Sequence, residues 1–482
     1  MDRLGGVLAG HWKSAFAYTA MLGGSLGAFH LICKRGEMLT AAPPVSGQAL
    51  LASVATKTAG HPLLHVLIAL VAIIIAAGLV GTVFRYLGQP PVIGEVIAGI
   101  MLGPSLLGRV APSAQQMLFP AEITPLLGIL SQIGVVLFMF IVGVEFDTGA
   151  LKKRGHTSVA ISHASIVTPF VLGTLLALVL YPKFSSSDVP FAHFALFMGV
   201  SMSITAFPVL ARILRDRQLQ STKLGVVALT CAAVDDVTAW CLLALIVTIA
   251  RRSGVSQAAM TFALSGAFIA FMMVAGRPAL RWLAMKHEES RDGFSYKTMA
   301  IVLVALLVSA IATEAIGVHA LFGAFVFGAF IPSHSKLAKD METQISGLVR
   351  VLLLPAFFAF TGLRTQIGLI DTTTQWLFCG GIVAVAVLGK FGGSFGAAAL
   401  TGLGWRDAAA IGALMNTRGL MELVVLNLGL DLQVISPTIY AMMVIMALVT
   451  TFMTAPVLTL LRWTEDRREA TALISHAEPT RE

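Results

Sequence analysis

From residue 63 onward the sequence is a succession of apolar runs, each about twenty residues long, the length a helix needs to cross a bilayer. Thirteen such segments can be delimited, near 63–87, 91–108, 124–146, 157–181, 191–214, 222–250, 259–283, 297–315, 317–333, 345–365, 374–400, 407–430 and 436–462. A water-soluble core cannot absorb this pattern. Of the 482 residues, 57% are hydrophobic and 12% charged, about half the charged share of a soluble domain. The expected fold class is therefore an all-α polytopic membrane protein with about 13 transmembrane helices, its partner the lipid bilayer. A net charge of +8 follows from Lys and Arg collecting in cytoplasmic loops and does not call for a nucleic-acid partner. Four scattered cysteines without a CxxC give neither a disulfide framework nor a zinc site. No GxGxxG or GxxxxGK(S/T) is present, so no nucleotide-binding domain, cofactor or enzymatic activity is expected.

Loop charges orient the segments. If 63–87 enters from outside, the inside loops hold Arg85, Lys152–Arg154, Arg212–Arg217, Arg277–Lys297, Lys336–Lys339 and Arg406, and the tail adds Arg462, Arg467 and Arg468. Arg251–Arg252 is the one discordant pair. This bias predicts a cytoplasmic C-terminus. Three regions follow: an N-terminal extension 1–60, a transmembrane domain 61–462 and a short cytoplasmic tail 463–482. Within the extension, SAFAYTAMLGGSLGAFHLIC (14–33) is long enough to span. It reads as a signal-anchor, an uncleaved fourteenth span or a processed leader.

A faint internal repeat is visible. FMFIVGVEFD (138–147) resembles FFAFTGLRTQ (357–366), and PPVIGEVIAGIMLGP (90–104) resembles GVHALFGAFVFGAFIP (317–332). Six-helix repeats joined by one linking helix insert with opposite topology, the plan of many secondary transporters whose substrate site lies near midplane.

The charges inside the apolar runs carry the chemistry. In GVVALTCAAVDDVTAWCLLALIVTIA, Asp235 and Asp236 sit near mid-span. Each carboxylate there costs about 2.5–3.5 kcal/mol on insertion scales. Neighbours on a helix point about 100° apart, so one can face a water-filled cavity and the other an adjacent helix; the bland reading is that both fix packing. SMSITAFPVLARIL (201–214) reads as a broken helix. Pro208 disfavours helical conformation at Phe207, and Ser201, Ser203 and Thr205 offer oxygens; an ordinary proline kink is the alternative. Lys390 is also near mid-span, about ten residues from the nearer end and too deep to snorkel at 1.5 Å per residue. A lone buried ammonium there loses its proton or finds a carboxylate, for which Asp235 and Asp236 are the candidates. In ALMNTRGLMELVVLN (413–427), Asn416, Thr417, Arg418, Gly419 and Glu422 mark a second interrupted span. Arg418 can pair with Glu422 at i, i+4 or reach Glu95 or Glu145, and a purely structural ion pair is equally open. His163 and His319 read as packing residues rather than ligands.

With these residues in hand, the chain resembles the cation:proton antiporters of the sodium/hydrogen exchanger superfamily, in the branch of bacterial sodium or potassium/proton antiporters and plant cation/proton exchangers. The matching stretches are QPPVIGEVIAGIMLGPSLLG (89–108), LFMFIVGVEFD (137–147), SITAFPVLARIL (203–214), AAVDDVTAW (232–240), GVHALFGAFVFGAFIP (317–332), LLPAFFAFTGLRT (353–365) and VLGKFGGSFGAA with MNTRGLMELVVLNLG (387–429). The resemblance implies two inverted six-helix repeats, a dimerisation domain, an ion-carrying core and a homodimer. It places two unwound crossing helices on 201–208 and 414–422, supported by Ser203, Pro208, Asn416, Thr417, Arg418 and Glu422. Asp236 takes the position that binds Na⁺ or K⁺ or a proton, with Thr205 beside it. Asp235 takes the neighbouring position and Lys390 that of its charge partner, the pattern of electrogenic relatives. The implied activity is antiport of a monovalent cation against protons by alternating access, in a bacterial inner membrane. A cation channel or uniporter, an organic-anion symporter and a non-transporting sensor or scaffold are the alternatives. The first sixty residues lie outside the resemblance.

Overall fold

The computed structural model describes residues 2–41, 62–145, 155–219, 222–250, 255–289 and 296–461. The expectations for Lys152–Arg154, Arg251–Arg252, most of 42–60 and the tail 463–482 fall outside these residues. Every regular element described is helical. In chain order the α-helices of eight or more residues are α1 (Asp2–Gly36), α2 (Pro62–Tyr86), α3 (Pro91–Leu102), α4 (Thr124–Glu145), α5 (Gly155–Phe184), α6 (Phe191–Ser203), α7 (Phe207–Asp216), α8 (Lys223–Ala250), α9 (Val255–Phe271), α10 (Arg277–Glu289), α11 (Tyr296–Ile316), α12 (Ala320–Phe330), α13 (Lys336–Leu348), α14 (Leu354–Arg364), α15 (Thr373–Val387), α16 (Gly393–Leu400), α17 (Trp405–Met415), α18 (Leu420–Asp431) and α19 (Pro437–Leu460). Three π turns, Met272–Gly276, Val349–Leu353 and Leu388–Gly392, join α9 to α10, α13 to α14 and α15 to α16.

Among the described residues ten spans are long and apolar enough to cross a membrane, or eleven when α17 and α18, bent by 41°, count as one. Two of the thirteen expected segments stand outside that count. One is α8, a continuous helix of 28 residues, part of which lies outside the described side chains. The other is α12, eleven residues long: Gly317 adopts a left-handed φ of 98° and His319 caps the helix, so the chain turns before the helix begins.

The chain forms two compact units. The first comprises Met1–Pro44, Lys153–Ala239 and Ile370–Glu482; the second comprises Val45–Lys152 and Trp240–Leu369. In the first, α5 packs on α6, α15 and α16, and α19 packs on α15, α17 and α18. The apolar segment expected at 14–33 lies within α1, which packs on α5 and α6. Its contact stripe is Phe29, Ile32, Cys33 and Gly36. Ile32 and Cys33 are buried, Phe29 lies 5.7 Å from Phe170 between ring centroids, and Gly36 abuts the Phe191 ring.

The second unit gives the internal repeat physical content. α3 packs on α14, and α12 packs on α4, so each member of one repeat contacts the opposite member of the other. Both contacts run through glycine. Gly99 lies against the Ala359 backbone and Gly362 against Gly99, while Gly143 meets the Phe325 carbonyl and Gly328 the Phe140 carbonyl. Small residues let membrane helices approach closely where no hydrophobic drive separates lipid from protein.

Candidate functional site

The site lies within the first unit and is built on two broken helices. α6 ends at Ser203, Ile204–Ala206 are extended, and α7 begins at Phe207 with Pro208 in its first turn. The break was expected on 201–208 and is confined to the three residues Ile204–Ala206 within it. A proline in the first helical turn removes only an N–H that has no intrahelical acceptor, so it starts α7 rather than interrupting it. The second break is shorter than expected: α17 ends at Met415 and α18 starts at Leu420, with extended backbone at Gly419.

The two breaks are bonded to each other. The Ala206 N–H donates to the Thr417 carbonyl at 3.0 Å, and the Thr205 hydroxyl lies 3.3 Å from the Met415 carbonyl. Gly419 permits the approach, because a Cβ there would sit 2.6 Å from Val209 Cγ2 and 3.3 Å from Ala206 Cβ. Val209 is β-branched and cannot swing away cheaply. Gly419→Ala is therefore expected to destabilise the protein by about 1–3 kcal/mol, read as a lower melting temperature of the detergent-purified protein.

Breaking α6 leaves its last carbonyls without helical partners, at the negative end of its dipole. Two buried cations satisfy them. Arg418 donates from Nη1 to the Ser201 carbonyl at 2.9 Å and from Nη2 to the Met202 carbonyl at 2.7 Å. Lys390 Nζ donates to the Ser203 carbonyl at 2.6 Å. Arg418 Nη1 also reaches Glu422 Oε2 at 2.9 Å, which decides between its expected partners. Thr451 receives the Arg418 backbone N–H at 2.9 Å. Lys390 lies on the π turn Leu388–Gly392, a local irregularity of the kind often found at functional positions.

Asp235 and Asp236 are both buried, 1% and 2% exposed, but their surroundings differ. Asp235 is saturated. Its Oδ1 accepts from Ser162 Oγ at 2.6 Å; its Oδ2 accepts from Ser165 Oγ at 2.7 Å, Thr205 Oγ1 at 2.8 Å and Lys390 Nζ at 3.0 Å. For Asp236 neither oxygen has a hydrogen-bond partner among the described residues. The backbone donor that acts on it is the Phe207 N–H, at the positive end of α7. Asn416 Oδ1 and Ser201 Oγ are likewise buried without a partner.

The structure thus brings Asp235, Asp236, Thr205 and Lys390 into one buried cluster, with Asn416, Thr417, Arg418 and Glu422 at the crossing. Ser203 contributes through its backbone. Its hydroxyl turns away to the Ile166 and Gly199 carbonyls at 2.9 and 2.8 Å, and only its backbone carbonyl faces Lys390. His163 bonds the Val159 carbonyl of its own helix at 2.8 Å, and His319 caps α12. The sequence reading missed Ser162 and Ser165. The available signal was SHASIVTP (162–169), two serines at i, i+3 on one face of an apolar helix with a proline four residues beyond the second.

Residues 50–461 match the family described as sodium/hydrogen exchanger, transmembrane. The chain belongs to that family. It is an integral membrane protein of a transporter family. It is similar to the Na(+)/H(+) antiporter NhaS4 of Synechocystis, 42% identical over 397 residues, covering 82% of this chain and 97% of the relative. Cation/H(+) antiporter 20 of Arabidopsis thaliana is 39% identical over 405 residues, and K(+)/H(+) antiporter 1 of Saccharomyces cerevisiae 33% over 392. The chain spans about half the length of these two, 48% and 45%. The solved structure of a sodium proton antiporter from Methanocaldococcus jannaschii superposes with a TM-score of 0.59 over 84% of this chain and 97% of that one, at 15% identity, and so supports the fold.

Proposed function

We propose that this protein is a secondary antiporter that exchanges a monovalent cation, Na⁺ or K⁺, for protons. The observation that carries the reading is the asymmetry of the aspartate pair. A buried carboxylate with no side-chain partner needs either a proton or a cation, and among the described residues Asp236 is such a carboxylate, placed where two broken helices cross. One group that takes a proton or a cation, never both, enforces exchange. Asp235 serves a different role. It holds Lys390 while the cation is absent, and cation entry parts the pair and frees the lysine proton. Counting that proton with the one from Asp236 makes exchange electrogenic. The sodium/hydrogen family membership and the relatives named as Na⁺/H⁺, K⁺/H⁺ and cation/H⁺ antiporters support this reading. The loop charges support a cytoplasmic C-terminus, the relative from Synechocystis supports a bacterial inner membrane, and the family resemblance supports a homodimer.

The test is dequenching of a trapped pH dye in proteoliposomes carrying an imposed proton gradient. Na⁺ or K⁺ should dequench it, and the rate should respond to an imposed membrane potential. Cation flux that needs no proton gradient would instead identify a channel.

A further inference from the structure

A proline four residues after a serine has a specific consequence in α5. In a helix the carbonyl of residue 165 bonds to the N–H of residue 169. Residue 169 is proline, inside α5, and has no N–H to give. The Ser165 carbonyl is therefore released from the ladder, and within a bilayer such a group must find another donor. It finds Lys390 Nζ, at 2.9 Å. The π turn comes close enough because Gly389 lies on Pro169, where a Cβ would stand 2.7 Å from the proline Cα. Gly393, one turn on, lies on Ala164 and Thr168 in the same way.

Ser165 also acts through its side chain. Its single hydroxyl proton has two acceptors in reach, Asp235 Oδ2 at 2.7 Å and the Ser162 carbonyl at 2.8 Å. It can hold Asp235, or it can turn to its own helix and leave its lone pairs facing the cluster. Ser162 keeps its own bond to Asp235 Oδ1 throughout. The same residue thus touches both halves of the ion pair, the carboxylate by its hydroxyl and the ammonium by its carbonyl.

We propose that α5 is a third wall of the cation site: the Ser165 carbonyl and hydroxyl are ligands that receive the dehydrated monovalent cation as Lys390 withdraws, and Ser162 and Pro169 are positioning residues for them. The proposal rests on the antiport reading above. It assigns the ammonium and the cation, in turn, the same carbonyl oxygen of α5, and gives the cation the hydroxyl oxygen as well. The cage is encoded locally, by S-x-x-S-x-x-x-P at 162–169.

Ser165→Ala removes the hydroxyl, and Pro169→Ala restores an N–H that competes for the freed carbonyl. Neither change enlarges a side chain, and Pro169→Ala completes the helix ladder. In full-length protein in proteoliposomes, each should raise the apparent KM for Na⁺ or K⁺ about tenfold, the factor one charge-assisted hydrogen bond supplies. Each should also displace the pH profile of exchange, with maximal rate kept within about threefold, as expected when binding rather than the later step is altered. Ser165→Thr, which keeps the hydroxyl, should return KM and the profile toward wild type. Unchanged KM and pH profile in both alanine variants would overturn the proposal. So would a lower maximal rate alone, the signature of a merely structural role. Exchange that persists in Asp236→Asn is a separate failure, that of the antiport reading itself, and is read from residual flux rather than from KM.

Discussion

Asp236→Asn is expected to abolish exchange. Asparagine keeps the shape and the buried position but holds neither a titratable proton nor a charge for a cation. Losing a buried charge interaction of at least about 3 kcal/mol corresponds to a hundredfold or greater fall in flux. The fold should survive, because the change removes the carboxylate that has no partner among the described residues, and buried charge is tolerated less well than a buried amide. The measurement is cation-induced dequenching in proteoliposomes beside a melting curve of the purified protein. Unaltered melting with no exchange is the predicted outcome, and wild-type-like exchange would falsify the role given to Asp236.

The largest stability effect is expected at Arg418. Its guanidinium is fully buried and holds Glu422, the Ser201 carbonyl and the Met202 carbonyl at once. Arg418→Met keeps the apolar stem and removes every one of these donors. Breaking a buried ion pair from one side costs about 3–5 kcal/mol, and here two carbonyls at the end of α6 lose their partners as well. Glu422→Leu should be milder, since Arg418 keeps both carbonyl acceptors. The double variant Arg418→Met with Glu422→Leu should melt above Arg418→Met alone, because the lone carboxylate is gone, and below wild type, because the α6 carbonyls remain unmet. A double variant that melts below both singles would count against a mutual pair.

The apolar runs made the helical architecture legible, since a bilayer leaves few alternatives for the backbone. Boundaries were less so. The signal at Pro208 was visible, but a proline starts a helix as readily as it ends one; the turn at Gly317 was not read from the sequence, and only the cap at His319 fixes where α12 begins. For the site, Asp235 and Lys390 could be matched because intramembrane charges are few and need partners. The partner of the Ser203 hydroxyl was not legible, because a hydroxyl in a membrane helix commonly bonds a nearby carbonyl of its own helix; here Gly199 and the neighbouring Ile166 take it. The same ambiguity hid Ser162 and Ser165. Their role depends on the Pro169 vacancy in the α5 ladder, which becomes meaningful only when Gly389 brings Lys390 alongside.

The bond from the Ala206 N–H to the Thr417 carbonyl bears on mechanics. It stitches the interruption in one span to the interruption in the other. A half-helix that swung alone would tear it and leave polar backbone bare in a medium without water, a penalty of several kcal/mol for each group. The crossing therefore travels as one cassette, its ion-holding geometry preserved in transit, and whatever exposes it first to one face and then to the other must carry both spans together.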